Sequence, residues 1–123
     1  MNRVASVTAT LYGIPNCDTV RKARVWLQAQ ARDVRFHDFK KAGVPADRLD
    51  AWVEALGWER LLNRKGTAWR GLDAAQRDGV RDAPSAKRLM LAQPSVIKRP
   101  VVDWPDGSTT VGFDAADFAR RVA

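Results

Sequence analysis

Apolar and polar positions alternate from Val7 to Tyr12, with Val7, Ala9 and Leu11 on one side, and this pattern predicts a first strand. Gly13-Ile14-Pro15-Asn16 breaks it, as those residue types should. The period then changes. Val20, Ala23, Leu27 and Ala31 recur at helical spacing and predict a helix from about Cys17 to Gln30. Alternation returns at Val34 to Phe39, a second strand, so the chain opens strand–turn–helix–strand, the order of a parallel pair with a right-handed crossover. Next comes a helical stripe of Leu49, Trp52, Val53 and Leu56, with Asp47 as the expected cap and Gly57 as the stop. Trp58 to Leu62 predicts a short helical piece, and Asn63 to Gly71 a basic loop. Leu72 to Val80 and Ala86 to Gln93 predict two further helices, the second bounded by Pro84 and Pro94. Val101 to Trp104 and Thr109 to Val111 flank Pro105-Asp106-Gly107-Ser108 as a hairpin. Asp114 opens a last helix carrying Phe118 and Val122, with Arg120 and Arg121 in its final turn.

These elements make a four-stranded mixed sheet flanked by helices, the α/β shape of a thioredoxin-like core with a helical insertion at about residues 46–93. No repeat or linker divides the 123 residues, so a single domain is expected. The composition, 46% hydrophobic and 28% charged, suits a globular chain and leaves no long disordered tract. No apolar run approaches the roughly 20 residues that span a bilayer, and Met1-Asn2-Arg3-Val4-Ala5 lacks the apolar core of a signal peptide. A cytoplasmic protein with a reduced thiol is the expectation. The formal net charge of +7, with 15 of the 21 cations arginine, leaves nucleic acid open as a partner and hints at planar anion recognition. The basic and aromatic residues do not interleave on one strand face or helix, which ranks nucleic acid low.

There is one cysteine, Cys17, and one histidine, His37, so an internal disulfide and a His-cluster metal site are both excluded. Cys17 stands where a strand ends and a helix begins. Free N–H groups and the positive end of the helix dipole favour a thiolate there, and such placement can lower a cysteine pKa to roughly 3.5–7.5. Arg21 and Lys22, one turn on, would help if they fold back, whereas Asp18 opposes them. The alternative is a small buried apolar residue. Position 20 is valine, so there is no Cys-x-x-Cys, and any disulfide on Cys17 must be mixed: with glutathione, another protein or a second copy of the chain.

Three stretches carry a family resemblance: Leu11 to Thr19 (LYGIPNCDT), Leu61 to Arg70 (LLNRKGTAWR) and Ile97 to Val102 (IKRPVV). With them in this order, the chain resembles the arsenate reductase (ArsC)/Spx family, and within it the YffB-like branch of glutathione-dependent thiol reductases, from Thr10 to about Val122. The resemblance implies that Cys17 is the nucleophile, that Arg64 and Arg99 bind an oxyanion, and that Pro100 is the cis proline of the fold. In the arsenate reductases a third arginine follows the last strand. Here Val111-Gly112-Phe113 stands in its place, and Gly112 argues against arsenate, which would lose a bidentate partner. The family's Spx members bind RNA polymerase, but the redox-sensing ones carry the Cys-x-x-Cys that this chain lacks.

The resemblance also implies that Arg99 reaches the Cys17 pocket and that Arg64 could close it from the insertion. Two arginines suit the two carboxylates of glutathione and would stabilise a thiolate. A solvated basic face is the plainer alternative for Arg64, Lys65 and Arg70. Asn16 is expected either to hydrogen-bond near the thiol or to serve as a cap or turn residue. Trp52 belongs to a core stripe, Trp69 to core or lid packing or to stacking on a ligand, and His37 to an edge rather than to catalysis. The expected function is a glutathione-dependent thiol-disulfide oxidoreductase, with glutathione as co-substrate, no bound cofactor and no metal. A non-catalytic regulator that binds RNA polymerase is the second reading, and a residual arsenate reductase the third.

Overall fold

Ala9 and Leu11 point into an apolar cluster while Thr10 turns away, and this alternation makes β1 (Ala9–Gly13) the strand on which the sheet is built. The computed structural model describes residues 8–30 and 32–122, so the expected roles of Val7 and Ala31 and the Met1–Ala5 segment lie outside the described residues. The chain divides into two compact units: Met1–Asp38 with Arg99–Ala123, and Phe39–Lys98.

In the first unit, β1 pairs in parallel with β2 (Val34–Asp38), Leu11 opposite Phe36. On its other side β1 pairs antiparallel with β3 (Val101–Asp103), which in turn pairs antiparallel with β4 (Thr109–Val111). The order is β2-β1-β3-β4, the mixed four-stranded sheet of a thioredoxin-like fold. Helix α1 (Asp18–Ala29) lays Val20, Ala23 and Leu27 on the sheet residues Leu11 and Val102, and Trp104 and Phe118 complete the cluster. Gly13 allows that approach: a Cβ there would lie 2.7 Å from the Val20 Cγ2. The β3–β4 turn forms as expected, with Gly107 at φ 90° and the Asp106 carboxylate accepting from the Ser108 N–H at 2.9 Å. Asp114 caps the last helix, its carboxylate accepting from the Ala116 and Asp117 N–H groups.

The second unit holds α2 (Phe39–Ala42), α3 (Ala46–Leu56), α4 (Trp58–Leu61), α5 (Thr67–Arg70), α6 (Ala74–Asp78) and α7 (Ala83–Ala92), then a 3-10 turn (Pro94–Val96). The final helix, α8 (Ala115–Val122), returns to the first unit. The core of the second unit is Phe39, Leu49, Trp52, Leu61, Leu62, Met90, Val96 and Ile97, and the Phe39 and Trp52 rings meet at 6.3 Å.

Several boundaries differ from the sequence expectation. Phe39 opens a helix instead of closing β2, because its ring is buried against Trp52. Pro45, not Asp47, precedes the first turn of α3, and Asp47 sits inside that turn. The basic loop contains α5. Helices α6 and α7 begin at capping boxes on Asp73 and Asp82, so Pro84 lies inside the first turn of α7, where its missing N–H is no loss.

Candidate active site

The turn after β1 is held by a hydrogen bond from the Cys17 N–H to the Ile14 carbonyl at 3.2 Å, and the next residue starts α1. Cys17 is therefore the N-cap residue itself, one position before α1, whereas the sequence pattern has the helix begin at about Cys17; its backbone angles are extended (φ −92°, ψ 126°). Its side chain is half-buried against the cluster of Leu11, Val20 and Phe118. That burial is the largest single influence on the thiol and raises its pKa. The opposing influences together win. The Val20 N–H dipole, the Arg99 guanidinium (as donor and as charge) and the Thr19 N–H dipole hold Cys17 below the ordinary cysteine value. Thr19 and Val20 are the second and third residues of α1, whose amides have no partner within the helix. They act on the sulfur without forming a regular side-chain cap.

Arg21 does not fold back to the thiol: its guanidinium pairs with the Asp18 carboxylate one turn away. The two charges that sequence set against each other at Cys17 are thus spent on one another, and the cation acting on Cys17 is Arg99. Arg99 sits two residues before β3, half-buried, with its Nε inside the fold. The Arg99–Pro100 peptide bond is cis, and Pro100 is buried, its carbonyl accepting from the Gly112 N–H at 2.8 Å. Gly112 takes φ 87°, a conformation that side-chain-bearing residues rarely adopt. Asn16 lies exposed in the turn, and Cys17 rather than Asn16 occupies the cap position.

Arg64 belongs to the helical unit, in the turn between α4 and α5. It is exposed, and its Cζ lies over the Trp58 ring at 5.5 Å and over the Trp69 ring at 5.9 Å. Sequence reading places Trp69 near Arg70, whereas the structure joins it to Arg64. The involvement of Trp58 has no local signature, since six residues separate it from Arg64. His37 is on the edge strand β2, its ring 5.0 Å from that of Tyr12. Along α1 runs an apolar groove of about 650 Å³ that starts at Asp18 and is lined by Lys22, Val25, Trp26, Ala29 and Phe113. Among the described residues no cluster of His, Cys, Asp and Glu could hold a metal ion, and no helix is long and apolar enough to cross a membrane.

A β2-β1-β3-β4 sheet, with a cysteine at the N-terminus of its first helix and an arginine and cis proline just before β3, defines a thioredoxin-like protein with a single-cysteine site. The family can be named as well. The chain belongs to the ArsC family, whose model matches residues 12–120. It is 34% identical over 114 residues to an uncharacterised protein of Haemophilus influenzae, covering 93% of this chain and 98% of that one. Among solved structures it is similar to a YffB protein, with 46% identity, a TM-score of 0.88 and coverage of 94% of this chain and all of that one. It is likewise similar to an arsenate reductase (ArsC) related protein from Brucella melitensis, with 48% identity, a TM-score of 0.73 and 98% of each chain covered.

Proposed function

We propose that the protein is a glutathione-dependent thiol-disulfide oxidoreductase that works through Cys17 alone. The observation that carries this reading is the half-buried Cys17 at the head of α1, its thiol pKa lowered by two amide dipoles and Arg99, in a chain with no second cysteine. Cys17 as thiolate attacks one sulfur of a disulfide, forming a mixed disulfide and releasing the other sulfur as a thiolate. A glutathione thiolate then attacks the substrate-derived sulfur, restores the Cys17 thiolate and leaves with that sulfur in a new disulfide. Electrons balance because each exchange breaks one S–S bond and forms another.

Arg99 stabilises the Cys17 thiolate both as attacking group and as leaving group, which speeds the second step. Arg64 offers a guanidinium for a glutathione carboxylate, and Pro100 and Asn16 shape the approach to the sulfur. The apolar groove beginning at Asp18 gives room for the substrate beyond its disulfide. A reducing compartment such as the cytoplasm is the setting this chemistry requires. Arsenate is disfavoured as substrate, since position 112 holds a glycine at φ 87°, where an arginine would be strained.

The test is turnover of a glutathionylated peptide by wild type and Cys17→Ser with glutathione as the only reductant. Loss of all turnover in Cys17→Ser, with a glutathione adduct on wild-type Cys17 by intact mass, is the expected result. Equal rates in the two proteins, or turnover of arsenate in preference to the peptide, would overturn the reading.

A further inference from the structure

The turn that carries Arg64 is pinned on every side. Before it, the Asn63 N–H donates to the Val96 carbonyl at 2.8 Å, and the Lys98 N–H donates to the Leu61 carbonyl at 2.7 Å. Within it, the Asn63 Oδ1 accepts from the Lys65 N–H at 3.2 Å. Gly66 packs so closely that a Cβ would come 2.7 Å from the Asn63 side chain. After it, the Arg70 Nη1 donates to the Lys65 carbonyl at 2.6 Å. Such bracing fixes the backbone of an exposed basic turn, where a mobile loop would be usual.

The side chain is braced as well. Two half-buried indoles, from the first residue of α4 and from α5, bring their ring faces within 6 Å of one exposed guanidinium, the range in which cation–π attraction operates. Cation–π attraction of this kind spends none of the guanidinium N–H groups on a hydrogen-bond acceptor. No acid occurs from residue 60 to residue 72, and among the described residues the ion pairs do not involve Arg64. An arginine set over two aromatic rings, with its fork unspent, suits a planar carboxylate.

We infer that Trp58 and Trp69 are positioning residues that clamp the Arg64 guanidinium between their rings and thereby preset it for a carboxylate. The inference rests on the reading above in giving Arg64 a glutathione carboxylate as ligand. The rings act by lowering the entropy lost when a long side chain is fixed, and by pointing the fork outward. Lysine cannot replace the arginine here, because an ammonium has no planar fork to orient.

The experiment is an NMR titration of the full chain with S-methylglutathione, which has both carboxylates of glutathione and no free thiol. Without ligand, the Arg64 side-chain protons are expected to resonate upfield through the ring currents of the two indoles. Trp58→Leu and Trp69→Leu should each remove part of that shift. Each should also raise the Kd for S-methylglutathione about two- to fivefold, the scale of one exposed cation–π contact. Trp58→Phe and Trp69→Phe should keep most of both, which a loss of mere bulk would not allow. In steady state the leucine variants should raise the KM for glutathione and leave kcat within about twofold, the mark of lost uniform binding. Unshifted Arg64 protons in wild type, or leucine variants that bind as wild type does, would overturn the inference. If S-methylglutathione fails to bind wild type, the glutathione reading falls, and acetate takes its place as probe. If acetate also leaves the Arg64 signals unmoved, the carboxylate site itself is overturned.

Discussion

Cys17 lies under two opposed influences, and the sign of their sum sets its chemistry. Burial raises the pKa, while the Val20 and Thr19 amides and Arg99 lower it further than burial raises it. Alkylation by iodoacetamide should therefore show a midpoint below the ordinary value of about 8.5. Arg99→Ala should move the midpoint up, because burial, the largest single influence, is then opposed by the two amides alone. The same shift has a stability consequence. A group whose folded pKa is depressed contributes stability that is present above its unfolded pKa, here about 8.5, and is lost as pH falls through the folded value. Wild type should thus gain on Cys17→Ser as pH rises toward about 8.5 and hold that gain above it, and Arg99→Ala should shrink it. Denaturant melts at a series of pH values read it directly, and a parallel offset at all pH values would contradict it. Gly112 gives a separate test. A Cβ there meets nothing within 4 Å, so space is not the constraint. At φ 87° the backbone is, and Gly112→Ala should cost about 1 kcal/mol by denaturant melt. A cost near zero would mean that the strand exit relaxes freely.

At the scale of elements, the link between β1 and α1 is what places Cys17. Gly13 and Val20 are in tight contact, so Gly13→Ala drives a methyl group into the valine that fixes the first turn of α1. The expected cost is about 1–3 kcal/mol, the range for overpacking, with slower alkylation of Cys17 as the helix end shifts away from the sulfur. Val20→Ala in the same chain should recover part of both effects, and strict additivity of the two substitutions would show that the contact does not matter. This strand–turn–helix unit is legible in the sequence because each of its parts has a local signature: alternation in β1, Gly13 and Pro15 at the break, and the Val20, Ala23, Leu27 period. The sheet follows for the same reason, with Pro105 to Ser108 announcing the hairpin. Of the short helices, Trp58–Leu61 and Ala74–Asp78 fall where the sequence predicts helical pieces, but two others are not legible. Four residues such as Phe39–Ala42 or Thr67–Arg70 are too few to display a helical period, and tertiary burial of Phe39 decides its state. Of the candidate site, the cysteine and the Arg99–Pro100 pair can be read from motifs. The indoles around Arg64 cannot, since they stand six residues before it and five after it and meet it only through the turn. Nor does sequence show that Arg21 is spent on Asp18.

For the whole molecule, the decisive fact is a count: one sulfur able to exchange, and nothing in the chain to resolve it. A dithiol protein can release its substrate with its own second cysteine, but under the proposed mechanism this one would hold the substrate until an outside thiol arrives. Mixed with excess glutathionylated peptide and no free glutathione, wild type should release one equivalent of peptide thiol and stop, its Cys17 held as a disulfide. Addition of glutathione should restart turnover at a rate that rises with its concentration until binding saturates. Under the same mechanism the net charge of +7 should act on this step, because glutathione is anionic and a basic protein would draw it in. Raising ionic strength shortens the screening length to about 8 Å at physiological salt and about 3 Å at 1 M, so kcat/KM for glutathione should fall across that range. An uncharged thiol such as mercaptoethanol should restart the same mixed disulfide with little salt dependence. If both thiols respond to salt alike, the effect belongs to the chemistry at Cys17 and not to attraction of the anion. If the released thiol, still one equivalent in total because exchange conserves thiols, includes glutathione as well as peptide, a second protein molecule is acting as the resolving thiol, and the product should then be a disulfide-linked dimer on a non-reducing gel.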